Sequence, residues 1–121
     1  MPREAWARKA HEDLAVARLA LDNGLWSPAC FHAQQAGEKA LKSVYDAVAL
    51  EVPRTHDLEA LLHGLEDKAH ADGATVREAA LILTTYGVDA RYPGFEADNT
   101  EASEAIRLAE TLVTWADNWM P

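Results

Sequence analysis

The stretch SPACFHAQQAGEKALKSVYDAVAL, residues 27–50, carries the clearest helical signal in the chain. It opens with Ser27, a residue suited to the N-cap, and Pro28, which is favoured at the first helical position. Small and apolar residues recur along it at helical spacing and predict one buried stripe: Ala33, Gly37, Ala40 or Leu41, Val44 and Val48. Glycine inside a helix costs up to ~1 kcal/mol relative to alanine. We therefore expect a neighbouring helix, or a second subunit, to approach the backbone closely at Gly37.

Helical periodicity also precedes and follows this stretch. A first helix is predicted over Arg3–Asp22, because apolar residues recur there every three or four positions, and Asn-Gly at residues 23–24 ends it. Pro53 interrupts the chain after the second helix. A third helix follows, with Thr55 or His56 as its expected cap.

The remaining punctuation predicts two further helices. Gly73 suits the end of the third helix, and the capping box from Thr75 to Glu78 starts a fourth, which Gly87 ends. Residues 88–99 are predicted to be a loop, and the last helix is capped by Asp98, Asn99 or Thr100. Strand signals are almost absent. The predicted fold is an all-α, up-and-down bundle of four main helices plus one short extra helix, forming a single domain over residues 1–121.

The bulk composition excludes several classes of protein. Apolar residues make up 49% of the 121 residues, and no apolar run approaches the ~20 residues that a membrane span needs. The N-terminal segment lacks the uninterrupted apolar stretch of a signal peptide, and Cys30 is the only cysteine, so we expect a cytoplasmic protein without disulfides.

The net charge of −9 argues against a surface that tracks many phosphates. The C-terminal part from Phe95 carries six acidic residues against a single arginine, whereas the segment from Lys39 to Arg54 is close to neutral. We therefore expect no DNA or membrane partner, and a small basic pocket at most.

The most specific polar arrangement lies on the second helix. Gln35, Glu38, Lys39 and Lys42 stand at i, i+3, i+4 and i+7, so their side chains share one face that could receive a polar ligand or partner. The alternative is an ordinary Glu38–Lys42 ion pair on a solvated helix, worth ~0.2–0.5 kcal/mol.

Two loops carry further candidates. In PRTHD, residues 53–57, Asp57 complements the dipole of the following helix, while Arg54 and His56 could meet a phosphate or a partner carboxylate, or remain exposed without a role. In DARYPG, residues 89–94, Arg91 is either a binding residue or a partner in a loop-stabilising ion pair, and Tyr92 can pack its ring while its hydroxyl stays in water.

No pattern for catalysis or metal binding emerges from the residues. The five histidines form neither HExxH nor a Cys/His cluster, and a glycine-rich phosphate loop is missing. Cys30, early in the second helix, fits a small buried side chain better than a nucleophile. We expect no metal, no cofactor and no assigned catalytic residue.

Three segments in register resemble the HEPN domain family of small prokaryotic helical proteins: FHAQQAGEKALKSVY (31–45), PRTHDLEALL (53–62) and DARYPG (89–94). The resemblance implies a helical bundle, usually a homodimer, often encoded beside a minimal nucleotidyltransferase. The positions that it marks as family-typical are Gln35, Glu38, Lys39, Lys42, His56, Asp57, Arg91, Tyr92 and Pro93.

Many members of the family are regarded as metal-independent ribonuclease toxins with an Arg and a His four to six residues apart on one helix. No arginine of this chain has a histidine at that distance. The leading hypothesis is therefore a non-catalytic binding module for a nucleotide or polar ligand, paired with a nucleotidyltransferase in a toxin–antitoxin-like system. One alternative is a ribonuclease, acting on short RNA, that combines Arg54 or Arg91 with His32 or His56. Another is a purely structural role for the polar residues as buried ion pairs.

Overall fold

The computed structural model describes residues 1–69, 73–89 and 93–120. Within them the chain forms five helices and no strand, as the sequence predicts. The helices are α1 (Arg3–Asp22), α2 (Trp26–Ala47), α3 (Leu58–Ala69), α4 (Ala74–Asp89) and α5 (Asn99–Asn118). In this described part of the chain, no helix combines the length and the apolar character that crossing a membrane requires.

Helix α2 is the centre of the bundle, because it packs against all four other helices. Gly37 explains how this is achieved. A Cβ atom added there would lie 2.8 Å from Leu83 Cδ2, 3.0 Å from Leu112 Cδ1 and 3.3 Å from Leu58 Cδ1. The close approach predicted at Gly37 thus comes from helices α3, α4 and α5 of the same chain.

Small side chains let α1 approach α2. The buried residues of α1 are three alanines and one leucine: Ala10, Leu14, Ala17 and Ala20. Trp6 and Leu21, which continue the same helical spacing, are only half-buried. Because alanine side chains are short, α1 and α2 can approach closely. Polar side chains of α2 can then reach those of α1.

Several predicted helix ends were wrong. Helix α2 begins at Trp26 with Leu25 as N-cap, and the Ser27 hydroxyl instead accepts a hydrogen bond from the Ala97 amide at 3.1 Å. The helix ends at Ala47 rather than near Leu50, and Ala49 takes the left-handed conformation (φ 59°) that usually favours glycine. A tertiary contact has therefore replaced the local cap that the sequence favours.

The later boundaries differ in the same way. Asp57, not Thr55 or His56, caps α3, since its Oδ1 accepts from the amides of Glu59 at 3.0 Å and Ala60 at 3.2 Å. Helix α4 begins before Thr75, and Gly87 lies inside it.

Of the three caps predicted for α5, Asp98 is the one observed, and it forms a reciprocal capping box with Glu101.

Candidate functional site

A buried carboxylate organises the polar face of α2. The Glu38 side chain is only 4% exposed, and its two oxygens have separate partners. Oε2 accepts from the Lys42 ammonium at 3.0 Å, and Oε1 accepts from Nδ1 of His56 at 2.7 Å. We call Glu38, Lys42 and His56 the Glu38 cluster. The buried charges of Glu38 and Lys42, which burial would otherwise penalise, are therefore paired.

His56 is held at the surface from two directions. Besides its ring contact with Glu38, its backbone carbonyl accepts from Nε2 of Gln34 at 2.9 Å. The imidazole is 61% exposed. Because a carboxylate only accepts hydrogen bonds, Nδ1 carries a proton and Nε2 of the neutral ring is left as an acceptor. The structure therefore gives His56 a defined orientation and an available nitrogen.

Lys42 lies deeper than His56. Its side chain is 10% exposed, and its ammonium lies 5.6 Å from the ring centroid of Trp6 on α1, a cation–π contact in addition to the ion pair with Glu38. The indole nitrogen of Trp6 and Oε1 of Gln34 are both buried without a hydrogen-bond partner among the described residues. Lys42 is thus engaged inside the protein rather than offered to solvent.

A second carboxylate repeats the arrangement between α1 and α2. Asp13 Oδ1 lies 3.0 Å from Nδ1 of His32, and its Oδ2 accepts from the Lys39 ammonium. The side chains are 13%, 32% and 26% exposed for Asp13, His32 and Lys39 respectively. We call these three residues the Asp13 cluster. They join α1 to α2.

The structure brings part of the predicted site together. Lys39 and Glu38 are neighbours on α2, and through Glu38 the helix contacts His56. Gln35 is half-buried on α2 and makes no hydrogen bond to the residues described. Arg54 is exposed, two positions before His56.

Asp57 serves as the α3 cap, and Arg91 and Tyr92 lie outside the described residues.

Sequence reasoning missed three contributors to these networks. Gln34 was not among the predicted site residues, although it lies four residues before Glu38 and so shares its side of the helix. Asp13 and Trp6 reach the site from α1, and no spacing within α2 can reveal them.

Cys30 is a buried side chain in the core beside α5. It is fully buried, and burial, followed by the nearby charges of Glu101 and Asp98, raises the pKa of its thiol to about 11. The thiol therefore stays protonated near neutral pH. This agrees with the prediction of a small buried side chain.

Among the described residues, no three His, Cys, Asp or Glu side chains are grouped so that they could hold a metal ion.

The fold and its polar clusters define a helical bundle with a carboxylate-centred face on its central helix. The chain belongs to the HEPN domain family, whose pattern matches residues 3–119. The resemblance of its three motif segments is thereby confirmed.

Two solved structures are similar to this one. TT1696 from Thermus thermophilus shares 30% identity over 95% of both chains, with a TM-score of 0.87. ST0689, described as an archaeal HEPN homologue, shares 27% identity over 97% of this chain and 96% of its own, with a TM-score of 0.80. No curated protein matched the chain.

Proposed function

We propose that this chain is a non-catalytic HEPN-type binding module for a nucleotide or polar ligand. The observation that carries the proposal is the His56 imidazole, which buried Glu38 orients at the surface, two residues after exposed Arg54. When the imidazole is protonated, its Nε2 also donates a hydrogen bond, and this donor together with the guanidinium two residues earlier suits a phosphate or carboxylate. Lys39, which is partly exposed, and Gln35 lie on α2, one residue after and three residues before Glu38.

The cations of the site contribute unequally to this proposal. Arg54 has no ionic or hydrogen-bond partner among the described residues, so its guanidinium is available. Lys39 would share its ammonium with Asp13, while Lys42 would hold Glu38 and act on a ligand only indirectly. Family membership supports the wider proposal of a cytoplasmic homodimer that works with a nucleotidyltransferase partner in a toxin–antitoxin-like pair.

Arg54→Ala tests this proposal with little risk to folding, because the residue is exposed. We expect at least a tenfold loss of affinity for nucleoside monophosphates, or for a minimal nucleotidyltransferase of the kind proposed as partner, measured by titration calorimetry. The matched control is Arg107→Ala, an exposed arginine on α5, which should leave affinity unchanged. Equal affinities for both variants and the parent protein would reject the proposed site.

A ribonuclease is the second candidate, because His56 and Glu38 form a histidine–carboxylate dyad with the outer nitrogen free. Such a base could take the proton of a ribose 2′-hydroxyl. The 2′-oxygen would then attack phosphorus, a 2′,3′-cyclic phosphate would form, and the 5′-oxygen would leave with a proton from solvent. Arg54 would stand by the phosphate.

Incubation with RNA in the presence of a chelator separates the two candidates. Cleavage that His56→Ala abolishes, and that Glu38→Gln reduces, would establish the enzyme. Intact RNA, together with the Arg54-dependent binding described above, would establish the binding module.

A further inference from the structure

An open cleft of about 470 Å³ lies where α3 packs against α4, and its size is that of a small-ligand site. We call it the α3–α4 cleft; it is lined by side chains from residues 57–66 on one side and by Arg77 of α4 on the other. The Leu58 amide donates to the Thr84 hydroxyl at 3.0 Å, and Arg77 Nη2 lies 2.9 Å from Glu66 Oε1. The two helices therefore run antiparallel, with the start of α4 beside the later part of α3.

Two carboxylates mark one end of the cleft. Asp57 and Glu59 are both exposed, and neither forms an ion pair with the residues described. Oδ1 of Asp57 accepts from the α3 amides, so its Oδ2 stays available to a ligand. This end of the cleft therefore attracts a cation.

The opposite end of the cleft carries a guanidinium. Glu66 lies seven residues after Glu59, so the two share one side of α3 and are ~10 Å apart along its axis. The Glu66 carboxylate is paired with Arg77. The Arg77 side chain is 54% exposed, and a guanidinium has five N–H donors, so donors remain for a second carboxylate. This end therefore attracts an anion.

Hydrocarbon and one imidazole lie between the charged ends. Leu62 is buried beneath the cleft, and Ala60 is exposed along it. Nδ1 of His63 lies 3.3 Å from Glu66 Oε2, and Nε2 of the neutral ring is left as an acceptor. The alkyl part of a long charged side chain suits this surface, because such chains bury their methylene groups and keep their charge in water.

We infer that the α3–α4 cleft binds a basic amino acid that has a free carboxylate, an arginine or a lysine. The side-chain cation lies at Asp57 and Glu59, and the carboxylate lies at Arg77. An extended arginine holds its two charges roughly 7 Å apart. The flexible side chains of Glu59 and Arg77 cover the rest of the ~10 Å between the ends. The ligand is either the free amino acid or the C-terminal residue of another chain, which present the same two charges.

The separation of charge in the cleft rejects ligands of a single sign. A diamine would place its second ammonium beside Arg77, and a dicarboxylate would place one carboxylate beside Asp57 and Glu59. Like charges at such distances disfavour binding. Neither Arg54 nor His56 is among the described residues that line the cleft, so this inference is independent of the proposed function.

NMR titrations with three related ligands test the two ends of the cleft separately. L-arginine carries both charges, L-argininamide lacks the carboxylate, and L-citrulline lacks the side-chain cation. We expect arginine to bind at least fivefold more tightly than either analogue. Arg77→Gln should remove the preference over argininamide. Glu59→Gln should lower the preference over citrulline by at least threefold.

Matched variants outside the cleft control for changes in overall charge. Arg107→Gln on α5 and Glu78→Gln on α4 replace exposed residues and should leave both preferences unchanged. Thermal melts of all variants report folding. Equal affinities of arginine and argininamide for the parent protein would overturn the inference. So would the absence of ligand-induced shifts at the amides of Glu59, His63 and Arg77.

A tripeptide that ends in arginine identifies the source of the ligand. If the tripeptide with a free C-terminus binds more tightly than L-arginine, and its C-terminal amide does not, the natural ligand is a protein C-terminus. Tighter binding of L-arginine assigns the cleft to the free amino acid. Either result supports the inference when Arg77→Gln abolishes the preference for the carboxylate, and independence from Arg77 would refute it.

Discussion

The Glu38 cluster and the Asp13 cluster contain the same three chemical groups, yet they do different work. In each cluster, one oxygen of a carboxylate is hydrogen-bonded to Nδ1 of a histidine, and the other oxygen accepts a hydrogen bond from a lysine ammonium. In the Glu38 cluster the lysine is buried and the imidazole exposed. In the Asp13 cluster all three side chains are intermediate between buried and exposed.

Burial decides which group of each cluster remains available for binding. The Glu38 cluster stabilises the bundle through Lys42 and presents His56 to solvent. The Asp13 cluster joins α1 to α2 and leaves Lys39 within reach of solvent. The same chemistry therefore leaves an imidazole exposed in one cluster and an ammonium partly exposed in the other.

The largest expected effect is that of Glu38→Ala. It would leave the buried Lys42 ammonium without a carboxylate, so we expect a loss of about 3 kcal/mol in the free energy of unfolding. Asp13→Ala, at the more exposed carboxylate, should lower the free energy of unfolding by about 1 kcal/mol. Urea unfolding measures both, with exposed Glu59→Ala as a control near zero. Equal losses at Glu38 and Asp13 would remove the distinction between the clusters.

Lysine replacements test the same contrast from the cationic side. Lys42→Met should lower the free energy of unfolding by about 2 kcal/mol, because Glu38 would keep only its His56 partner in a buried position. Lys39→Met should cost less than about 1 kcal/mol, since solvent can reach the site. Thermal unfolding of the two variants side by side gives the comparison. A larger loss of stability for Lys39→Met than for Lys42→Met would show that the buried pair is not the more important one.

The response to salt should give the smallest and most diagnostic difference. A double-mutant cycle between Asp13 and Lys39 should yield a coupling of about 0.5 kcal/mol at low ionic strength, falling towards zero in about 1 M NaCl. The coupling between Glu38 and Lys42 should change little, because the pair is shielded from solvent. If the two coupling energies fell equally with added salt, burial would not distinguish the Glu38–Lys42 pair from the Asp13–Lys39 pair.

Much of the fold could be predicted from local pattern. The bounds of α1, Asp98 as one of three cap candidates for α5, and the close approach at Gly37 follow from periodicity and residue chemistry. The prediction that Ser27 caps α2 was wrong, because the Ser27 hydroxyl accepts a hydrogen bond from the amide of Ala97, a residue 70 positions away. Local propensity is a weak preference, and a tertiary hydrogen bond can override it.

For the candidate site, the sequence alone determined that Glu38 and Lys42 lie on one side of a helix, because helical geometry relates residues four apart. Tertiary structure alone decided that the Glu38 carboxylate is also hydrogen-bonded to His56. It also decided that Asp13 pairs with Lys39, 26 positions further along the chain. Only packing determines which helix or loop lies against a given face. Burial fixes the orientation of an ion pair and makes its disruption more destabilising than at the surface. Burial is therefore a property of the assembled bundle.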